Sequence, residues 1–355
     1  MVILTPVPIL LSLAVLEALP AEAPKKLIEW GWDEPDTAFL RENWSKMEEM
    51  PFDGFVFHVT VSRAGRKANF SWECFGKERF SAGDFREAAA DLRAARFVRL
   101  SDRFLRFNVT PGVDWWDDAA WEAVMGNARA AAVFARDSGL RGWMFDVEDY
   151  GTGIFRYRGG KREKEKSFAE HRAQVRERGR SFARAVGGEF PEIVLFLTLG
   201  YSFGYPWAPE KDREDSTYGL LTDFLDGIVE ACGPGMAVVD GFEGAYPFKR
   251  AEQFREARET ILVKGPGWSA APEMYRRHVR AAFGLWMDHD WRRRGWDLSD
   301  FTRNHFTPSE FEGAVRSAMA ASDGYVWIYT EKPRWWTREE LPEEYMEALR
   351  RARSR

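Results

Sequence analysis

The chain has 355 residues, of which 45% are hydrophobic and 30% charged, a composition typical of a folded globular protein and not of a disordered or fibrous one. With 51 Lys and Arg against 56 Asp and Glu, the formal charge is −5, which argues against a nucleic-acid partner because phosphates call for a basic surface. Aromatic residues make up 15% of the chain, including 16 Trp, which suits either a Trp-rich core or a cleft for sugar rings.

The N-terminal residues 2–20 form an apolar run broken by Pro6, Pro8 and Glu17, and the sequence Ala21-Glu22-Ala23 follows. An apolar run that ends in a small-x-small pattern is typical of a cleaved export signal, and this one is too short and too rich in proline to span a membrane well. We therefore expect residues 1–23 to be removed and the protein to be secreted or periplasmic, with no membrane span in the remainder. A buried N-terminal segment is the alternative.

Short β-rich runs alternate with longer amphipathic stretches from Leu27 onward, which is the pattern of βα units around a parallel sheet. The eight predicted strands are Leu27–Trp32, Gly54–Val59, Leu105–Thr110, Gly142–Val147, Ile193–Leu199, Ala237–Phe242, Ala281–Met287 and Gly324–Tyr329. Helices are predicted between them, for example at Ala119–Ser138, Phe168–Val186, Thr222–Ala231 and Pro308–Ala321. Eight βα units predict a single-domain (β/α)8 TIM barrel over residues 24–338, followed by a charged helix over residues 339–355.

The active site of such a barrel forms at the C-terminal ends of its strands, and acids and aromatic residues follow most of the predicted strands here. The clearest feature is Asp146-Val147-Glu148 on the fourth strand. Residues two apart on a strand share a face, so both carboxylates are expected to point into the mouth. Two close carboxylates repel each other, which raises the pKa of one and suits acid/base catalysis. The alternative is a structural pair held by loop arginines such as Arg156 or Arg158.

A second acidic group follows the sixth strand, where Glu243 comes just after the Asp240-Gly241 turn. These acids could face the fourth-strand pair across a bound sugar, although Asp240 could equally be a turn cap ahead of Gly241. Glu148 is the predicted general acid, and Asp146 would orient it or act as a nucleophile. Glu243, with Asp240 second, would be the opposing base or nucleophile.

Further residues at the strand ends are predicted to bind the substrate. They are Trp327, Glu331, Tyr246, Tyr201, His58, Asp33, Asn108 and Asp288. Structural alternatives remain open for some of them: Trp327 could be barrel core, Asp288 could anchor its loop, His58 could be a hydrogen-bonded structural residue and Asp33 could cap a helix. The mouth is also expected to gather Trp residues from the strand ends, namely Trp32, Trp115, Trp116, Trp286, Trp327, Trp335 and Trp336.

No cofactor is predicted, because the chain lacks serine-elbow, dinucleotide-binding and P-loop motifs and has only five His. Its two cysteines, Cys74 and Cys232, form no CxxC motif, so a cysteine zinc site is excluded, while one disulfide or two thiols are both possible. A cation held by Asp146, Glu148 and Asp240 is an alternative, since oxygen ligands suit Mg²⁺ or Ca²⁺.

The fourth strand resembles that of the chitinase-type glycoside hydrolases, whose D-x-x-D-x-D-x-E motif supplies a catalytic Glu and an assisting Asp. The segment RGWMFDVE keeps that last Asp and the Glu as Asp146 and Glu148, but has Arg141 and Met144 in place of the first two acids. Tyr246 and Trp327 are similar to the Tyr and Trp that this group carries on its sixth and eighth strands. The segments GWDEPDT, FDVEDYG and DGFEGAYPF are also similar to those of secreted bacterial barrel proteins.

These observations predict a glycoside hydrolase that cleaves a polysaccharide or glycan by paired-carboxylate catalysis, with a carbohydrate as its only predicted partner. A carbohydrate-binding barrel without catalytic activity is the alternative, since it would use the Trp surfaces without needing opposed acids.

Overall fold

A computed structural model describes residues 24–354 apart from residues 64, 205–209, 291–292 and 294, so the predicted export signal lies outside the described residues. The strands are β1 (Lys26–Glu29), β2 (Gly54–Phe57), β3 (Thr60–Arg63), β4 (Arg66–Asn69), β5 (Asp102–Asn108), β6 (Gly142–Asp146), β7 (Val194–Leu197), β8 (Ala237–Asp240), β9 (Val279–Ala281), β10 (Phe283–Trp286) and β11 (Tyr325–Tyr329). The helices are α1 (Thr37–Met47), α2 (Phe70–Glu73), α3 (Arg86–Ala94), α4 (Asp118–Asp137), α5 (Phe168–Glu189), α6 (Tyr201–Gly204), α7 (Leu221–Ala231), α8 (Ala251–Glu259), α9 (Pro272–His278), α10 (Pro308–Ala321) and α11 (Glu343–Arg353).

Nine strands form one parallel sheet in the order β10-β11-β1-β2-β5-β6-β7-β8-β9. β9 and β10 are two parts of one barrel strand interrupted at Ala282, whose N–H donates to the Asp240 carbonyl at 2.8 Å. Because β9 pairs with β8 and β10 pairs with β11, the sheet closes with eight strand positions. The predicted (β/α)8 barrel is confirmed, with predicted strand ends that extend too far by up to three residues, as at Trp32 against Glu29.

One long helix follows each barrel strand and covers the outside of the sheet: α1, α3, α4, α5, α7, α8, α10 and α11. Polar caps fix where several of them begin. The Ser167 hydroxyl accepts from the Glu170 N–H while the Glu170 carboxylate accepts from the Ser167 N–H, and Thr307 and Glu310 make the same reciprocal pair at the start of α10. Among the described residues, none of the helices combines the length and the apolar character that crossing a membrane requires.

Alternation along the strands divides the apolar residues into two cores. Side chains such as Val56, Met144 and Val239 fill the inside of the barrel, whereas Phe55, Phe145 and Val238 pack between the sheet and the helices. Continued to the strand ends, the same alternation aims Asp146 into the mouth. The same alternation aims Glu29, which follows Ile28, and Asp240, which follows Val239, outward to the helix layer.

Candidate active site

The C-terminal mouth of the barrel holds a cleft of about 660 Å³. Its lining combines carboxylates with aromatic rings: Trp30, Gly31, Trp32, Glu34, His58, Asn69, Trp72, Arg106, Glu148, Tyr150, Glu243, Tyr246, Trp286, Tyr329 and Glu331. These residues come from the segments that follow β1, β2, β6, β8 and β11, from the last residues of β10 and β11, and from one side chain of β5. The sequence prediction that acids and aromatic residues meet at this end of the barrel is therefore supported by their positions.

Asp146 ends β6 on the inner face and has no exposed surface. Its Oδ2 accepts from Arg106 Nη2 at 2.9 Å and from the Tyr150 hydroxyl at 2.8 Å. Its Oδ1 accepts from the Glu148 N–H at 3.1 Å, which fixes the turn that carries the Glu148 side chain. The arginine beside Asp146 is thus Arg106 of β5, whereas the sequence analysis named loop arginines. The contacts make Asp146 a residue that orders its neighbours, since a carboxylate with no exposed surface does not touch a substrate.

Arg106 is the central cation of the cleft, and the sequence analysis did not single it out. Its guanidinium donates to Asp146, to Glu34 Oε2 at 3.3 Å and to Asn108 Oδ1 at 2.9 Å. It also lies 5.3 Å from the ring centre of Trp30 and 4.9 Å from that of Trp72. The signal that could have found it is alternation, because Arg106 and Asn108 share the inner face of β5 with the buried Phe104.

Glu148 is half-buried in the cleft wall, two residues beyond Asp146. Burial raises the pKa of Glu148 well above its ordinary value, and the negative charges of Asp146 and Glu243 raise it further. The Arg106 charge and a hydrogen bond with Tyr150 act in the opposite direction without cancelling the rise. Glu148 is therefore a carboxylic acid that keeps its proton at a pH where an exposed glutamate has lost it.

Glu243 reaches the same cleft from the end of β8 through a sharp bend of the backbone. Gly241 packs so closely that a Cβ there would lie 2.2 Å from the Leu197 carbonyl oxygen, and Phe242 adopts the left-handed conformation with φ of +37°. Such a conformation costs on the order of 1–3 kcal/mol in a non-glycine residue, so the rest of the fold must hold it in place. The strain marks the bend that positions Glu243 and the Tyr246 ring behind it.

The two glutamates influence each other's ionisation. Burial raises the pKa of Glu243, the Asp146 charge adds to the rise, and a hydrogen bond from Tyr246 lowers it. Because the charges of both Asp146 and Glu243 raise the pKa of Glu148, whereas Asp146 alone of these neighbours raises that of Glu243, Glu243 is the easier of the two to deprotonate. The arrangement thus places two carboxyls of unequal pKa in a single cleft.

Aromatic rings form another part of the cleft wall. The Tyr246 and Tyr329 rings stack with centres 5.3 Å apart and planes at 17°, and Trp286 lies 5.6 Å from Tyr329. Trp327 lies under this wall, 5.3 Å from Tyr246, with its indole N–H donating to the Gly241 carbonyl at 2.9 Å. Trp327 is fully buried and outside the cleft lining, so it supports the floor and presents no surface to a ligand.

Glu331 lines the cleft, and Asp288 holds the loop that carries it. Asp288 Oδ1 accepts from the Glu331 N–H at 3.1 Å, and its Oδ2 accepts from the Lys332 N–H at 2.9 Å. Asp288 also accepts from the Trp286 indole N–H at 3.0 Å. Of the two roles considered from the sequence, these contacts favour the loop anchor. The Glu331 carboxylate itself accepts from the Tyr329 hydroxyl at 3.3 Å.

His58 lines the cleft next to Glu34, with its Nδ1 3.0 Å from Glu34 Oε1. Burial raises the pKa of Glu34, but Arg106 and His58 together lower it below the ordinary value. The preceding residue, Asp33, is turned out of the cleft: its Oδ2 accepts from the Trp336 N–H at 3.2 Å and its carboxyl faces Glu29. Glu34 is thus the cleft acid of this segment, one position after the residue predicted from the sequence.

Three residues predicted for the site lie outside the cleft lining: Asp240, Tyr201 and Asn108. Asp240 follows the inner Val239 and so faces the helix layer, where it is 1% exposed and its Oδ2 has no hydrogen-bond partner among the described residues. Burial raises its pKa to about 7. The buried Tyr201 donates to Asp226 of α7 at 3.1 Å. Asn108 lies beneath the cleft and accepts from Arg106.

Of the seven Trp expected at the mouth, Trp32 and Trp286 line the cleft. The other five lie elsewhere: Trp115, Trp116, Trp327, Trp335 and Trp336. Trp335 shows why, because the chain has already turned back along the outside of the barrel there, and its ring packs 4.8 Å from Phe52. Trp30 and Trp72 line the cleft instead.

Within the described part of the chain, no three His, Cys, Asp or Glu side chains are grouped as ligands of a metal ion would be. Cys74 and Cys232 are both free and buried, so the disulfide alternative is not formed. Burial raises the pKa of the Cys232 thiol to about 12.

No protein-family model matches the chain, and no curated protein matches it in sequence. Solved structures do match it in fold. The endo-beta-1,4-glucanase B from Bacillus halodurans, a tri-modular protein, is 12% identical with a TM-score of 0.50, over 94% of this chain and 60% of that one. A glycoside hydrolase family 5 enzyme from Prevotella bryantii is 12% identical, with a TM-score of 0.44 over 88% and 98%. A family 18 chitinase from Pseudoalteromonas aurantia is 10% identical, with a TM-score of 0.44 over 92% and 99%.

At this level of identity the likeness shows the fold alone. The chain has the barrel architecture on which these glycoside hydrolases are built, and the chemistry of its cleft must be argued from its own residues.

Proposed function

We propose that the protein is a glycoside hydrolase, with Glu148 as the general acid and Glu243 as the opposing carboxylate. The observation that carries the proposal is the pair itself: two half-buried carboxyls in one aromatic-walled cleft, each with a pKa raised by burial and by neighbouring negative charge. Paired carboxyls of unequal ionisation are the usual machinery for cleaving a glycosidic bond through an oxocarbenium-like transition state.

In the reaction, protonated Glu148 gives its proton to the glycosidic oxygen as the bond from that oxygen to the anomeric carbon breaks. Ionised Glu243 assists attack at the anomeric carbon, which finally takes the oxygen of a water molecule. The proton that this water loses restores the acid, so one water is consumed for each bond cleaved. The Tyr246 hydrogen bond favours the ionised form of Glu243 that this role needs.

Asp146 and Arg106 act through other groups. Asp146 fixes the Glu148 backbone and contributes the negative charge that favours its protonated form. Arg106 compensates the negative charges of Asp146 and Glu34, which would be costly to bury without a charged partner. The two residues therefore keep the ionisation of the cleft fixed, and Asp146 is a positioning residue where the sequence had left a nucleophilic role open.

The test is hydrolysis of a panel of polysaccharides and oligosaccharides built from glucose, xylose, mannose and N-acetylglucosamine. We expect turnover by the wild type and a loss of about 10²–10⁴-fold in kcat for Glu148→Gln and for Glu243→Gln. Asp240→Asn is the matched control, because it neutralises a buried acid at the end of β8, the strand that leads to Glu243, but outside the cleft. Sugar binding without turnover in the wild type would instead establish a carbohydrate-binding barrel, and full activity of Glu148→Gln would overturn the site.

The substrate would be met outside the cytoplasm, since we also propose that residues 1–23 direct export. The support is the apolar run and its Ala-Glu-Ala end. Expression of the full chain in a bacterial host, followed by N-terminal sequencing of the exported protein, is expected to give a new N-terminus at about residue 24. A product that stays in the cytoplasm with its first residues intact would contradict the proposal.

A further inference from the structure

Trp32 is the most exposed aromatic residue of the cleft, with 65% of its surface accessible, yet its ring is held in one orientation. Its indole N–H donates to the Tyr329 hydroxyl at 2.8 Å, and that hydroxyl in turn donates to Glu331 Oε1 at 3.3 Å. The Tyr329 ring is itself fixed by stacking on Tyr246. An exposed indole that the fold fixes at its polar edge leaves its apolar face ready for a ligand.

Trp72 is a second exposed indole of the cleft, 39% accessible, on the short helix α2 that follows the β3–β4 hairpin. Its ring lies 4.9 Å from that of Tyr150, and the Arg106 guanidinium lies 4.9 Å from its centre. The hairpin and α2 are an insertion between β2 and α3, and the insertion brings this ring to the mouth of the barrel. Arg106 lies over the ring and Tyr150 packs beside it, and 39% of the Trp72 surface remains accessible to a ligand.

The two rings lie on different arcs of the mouth. Trp32 is bonded to the end of β11, beside β1, whereas Trp72 lies against side chains of β5 and of the loop after β6. Going round the barrel, β1 and β2 separate these two places. Glu148 follows β6 and so lies near Trp72, and Glu243 connects through Tyr246 and Tyr329 to the Trp32 side. Cleft tyrosines thus connect each ring to one of the two acids: Tyr150 connects Trp72 to Glu148, and Tyr329 with Tyr246 connects Trp32 to Glu243.

We propose that Trp32 and Trp72 are two separate sugar-stacking platforms on different arcs of the cleft mouth, and that the substrate is an extended neutral oligosaccharide or polysaccharide cleaved at an internal bond. The inference rests on the proposed function for its cleavage step, whereas the two platforms stand on their own geometry. Pyranose rings have apolar C–H faces that pack on indole, and the hydroxyl groups at their edges suit Glu331 and Tyr150. Only a chain of several sugar units can cover both platforms at once.

The first measurement is binding of gluco-, xylo-, manno- and chito-oligosaccharides of increasing length by calorimetry, with the Glu148→Gln variant used wherever the wild type turns the ligand over. We expect affinity to rise with length until both platforms are covered. Trp32→Ala and Trp72→Ala are each expected to weaken binding of the longest ligands by roughly 3- to 10-fold. A disaccharide cannot cover both platforms, so we expect at most one of the two substitutions to weaken its binding. Trp32→Phe and Trp72→Phe, which keep a ring, recover part of the loss.

The second measurement is the product distribution from a polysaccharide. Internal cleavage predicts a mixture of oligosaccharides early in the reaction, and release of single sugar units from the start would overturn the proposal. Equal affinity for short and long ligands, or alanine variants with unchanged binding and normal thermal unfolding, would also overturn it. Length-dependent binding without any turnover would leave the platforms in place and contradict the proposed hydrolysis alone, so the two failures are distinguishable.

Discussion

Two carboxyl pairs with raised pKa values lie on opposite sides of the barrel wall and invite comparison. Glu148 and Glu243 lie in the cleft at the mouth, whereas Glu29 and Asp33 meet behind β1, between the sheet and its cover. Burial is the largest cause of the raised pKa in all four residues, and the charge of Asp33 adds to the rise at Glu29. The pairs differ in access, because Glu29 is 0% exposed and Glu148 lines an open cleft.

The difference shows that a raised pKa reflects burial, and that the retained proton can take part in a reaction only where a substrate can reach it. Strand alternation decides which it is. Ile28 and Trp30 face the inside of the barrel, so Glu29 between them faces outward, whereas Asp146 and the inner Met144 share a face. The outer pair therefore bears on stability alone, and the inner pair is the one that the proposed catalysis would use.

Arg106 gives the largest expected effect on stability, because it pairs directly with two acids at the mouth of the barrel. In Arg106→Met, the fully buried Asp146 and the buried Glu34 lose their charged partner. Removing one partner of a buried ion pair costs about 3–5 kcal/mol, which denaturant unfolding at neutral pH would measure. Arg103→Met on the same strand is the control: its guanidinium donates to the Gly139 carbonyl, a loss of about 1 kcal/mol. Equal losses in the two variants would contradict the central place of Arg106.

Glu29→Gln tests the outer carboxyl pair, which is expected to affect stability but not activity. Since the pKa of Glu29 is raised well above 4.5, the folded protein keeps a proton that the unfolded chain releases, so stability falls as pH rises from about 4.5. An amide carries no such proton, so we expect the variant to lose less stability than the wild type between about pH 5 and about pH 8. Its catalytic activity should stay at the wild-type level. Parallel stability curves, or a large loss of activity, would place Glu29 in a different role.

Asp240→Asn gives the smallest expected effect. Its carboxyl lies outside the cleft with a pKa of about 7, and the amide has nearly the same shape without a charge to bury. We expect kcat/KM to stay within about twofold of the wild type and stability to be unchanged or higher above neutral pH. Steady-state kinetics of the wild type, Asp240→Asn and Glu243→Gln, measured side by side, tests this expectation. A loss comparable to that of Glu243→Gln would show that the outer face takes part in catalysis.

The fold followed from the sequence because most barrel strands contain an apolar run bounded by turn residues, and alternation placed Asp146 on the inner face at the end of β6, with Glu148 two residues beyond it. The same rule, applied from Val239, would have turned Asp240 away from the mouth. Other features depend on tertiary contacts that no local pattern carries. Trp72 reaches the cleft on an inserted hairpin, and the Glu243 position depends on the left-handed Phe242.

Trp335 illustrates the remaining limit. Trp335 follows β11 closely in sequence, so it was predicted to lie at the mouth of the barrel. Its actual position depends on the path that the loop takes after the strand end. The partners of Arg106 show the same limit for charges, because its contacts with Asp146 and Glu34 join three different barrel segments.

The most direct test of the central claim is the pH dependence of kcat/KM, once a hydrolysed substrate is in hand. Activity should rise as Glu243 loses its proton and fall as Glu148 loses its own, with both limbs above the ordinary carboxyl range of about pH 4. The account predicts a bell-shaped profile whose maximum lies near or above neutral pH, and a lost alkaline limb in the residual activity of Glu148→Gln. A maximum at about pH 4–5 that has vanished by neutral pH would contradict it.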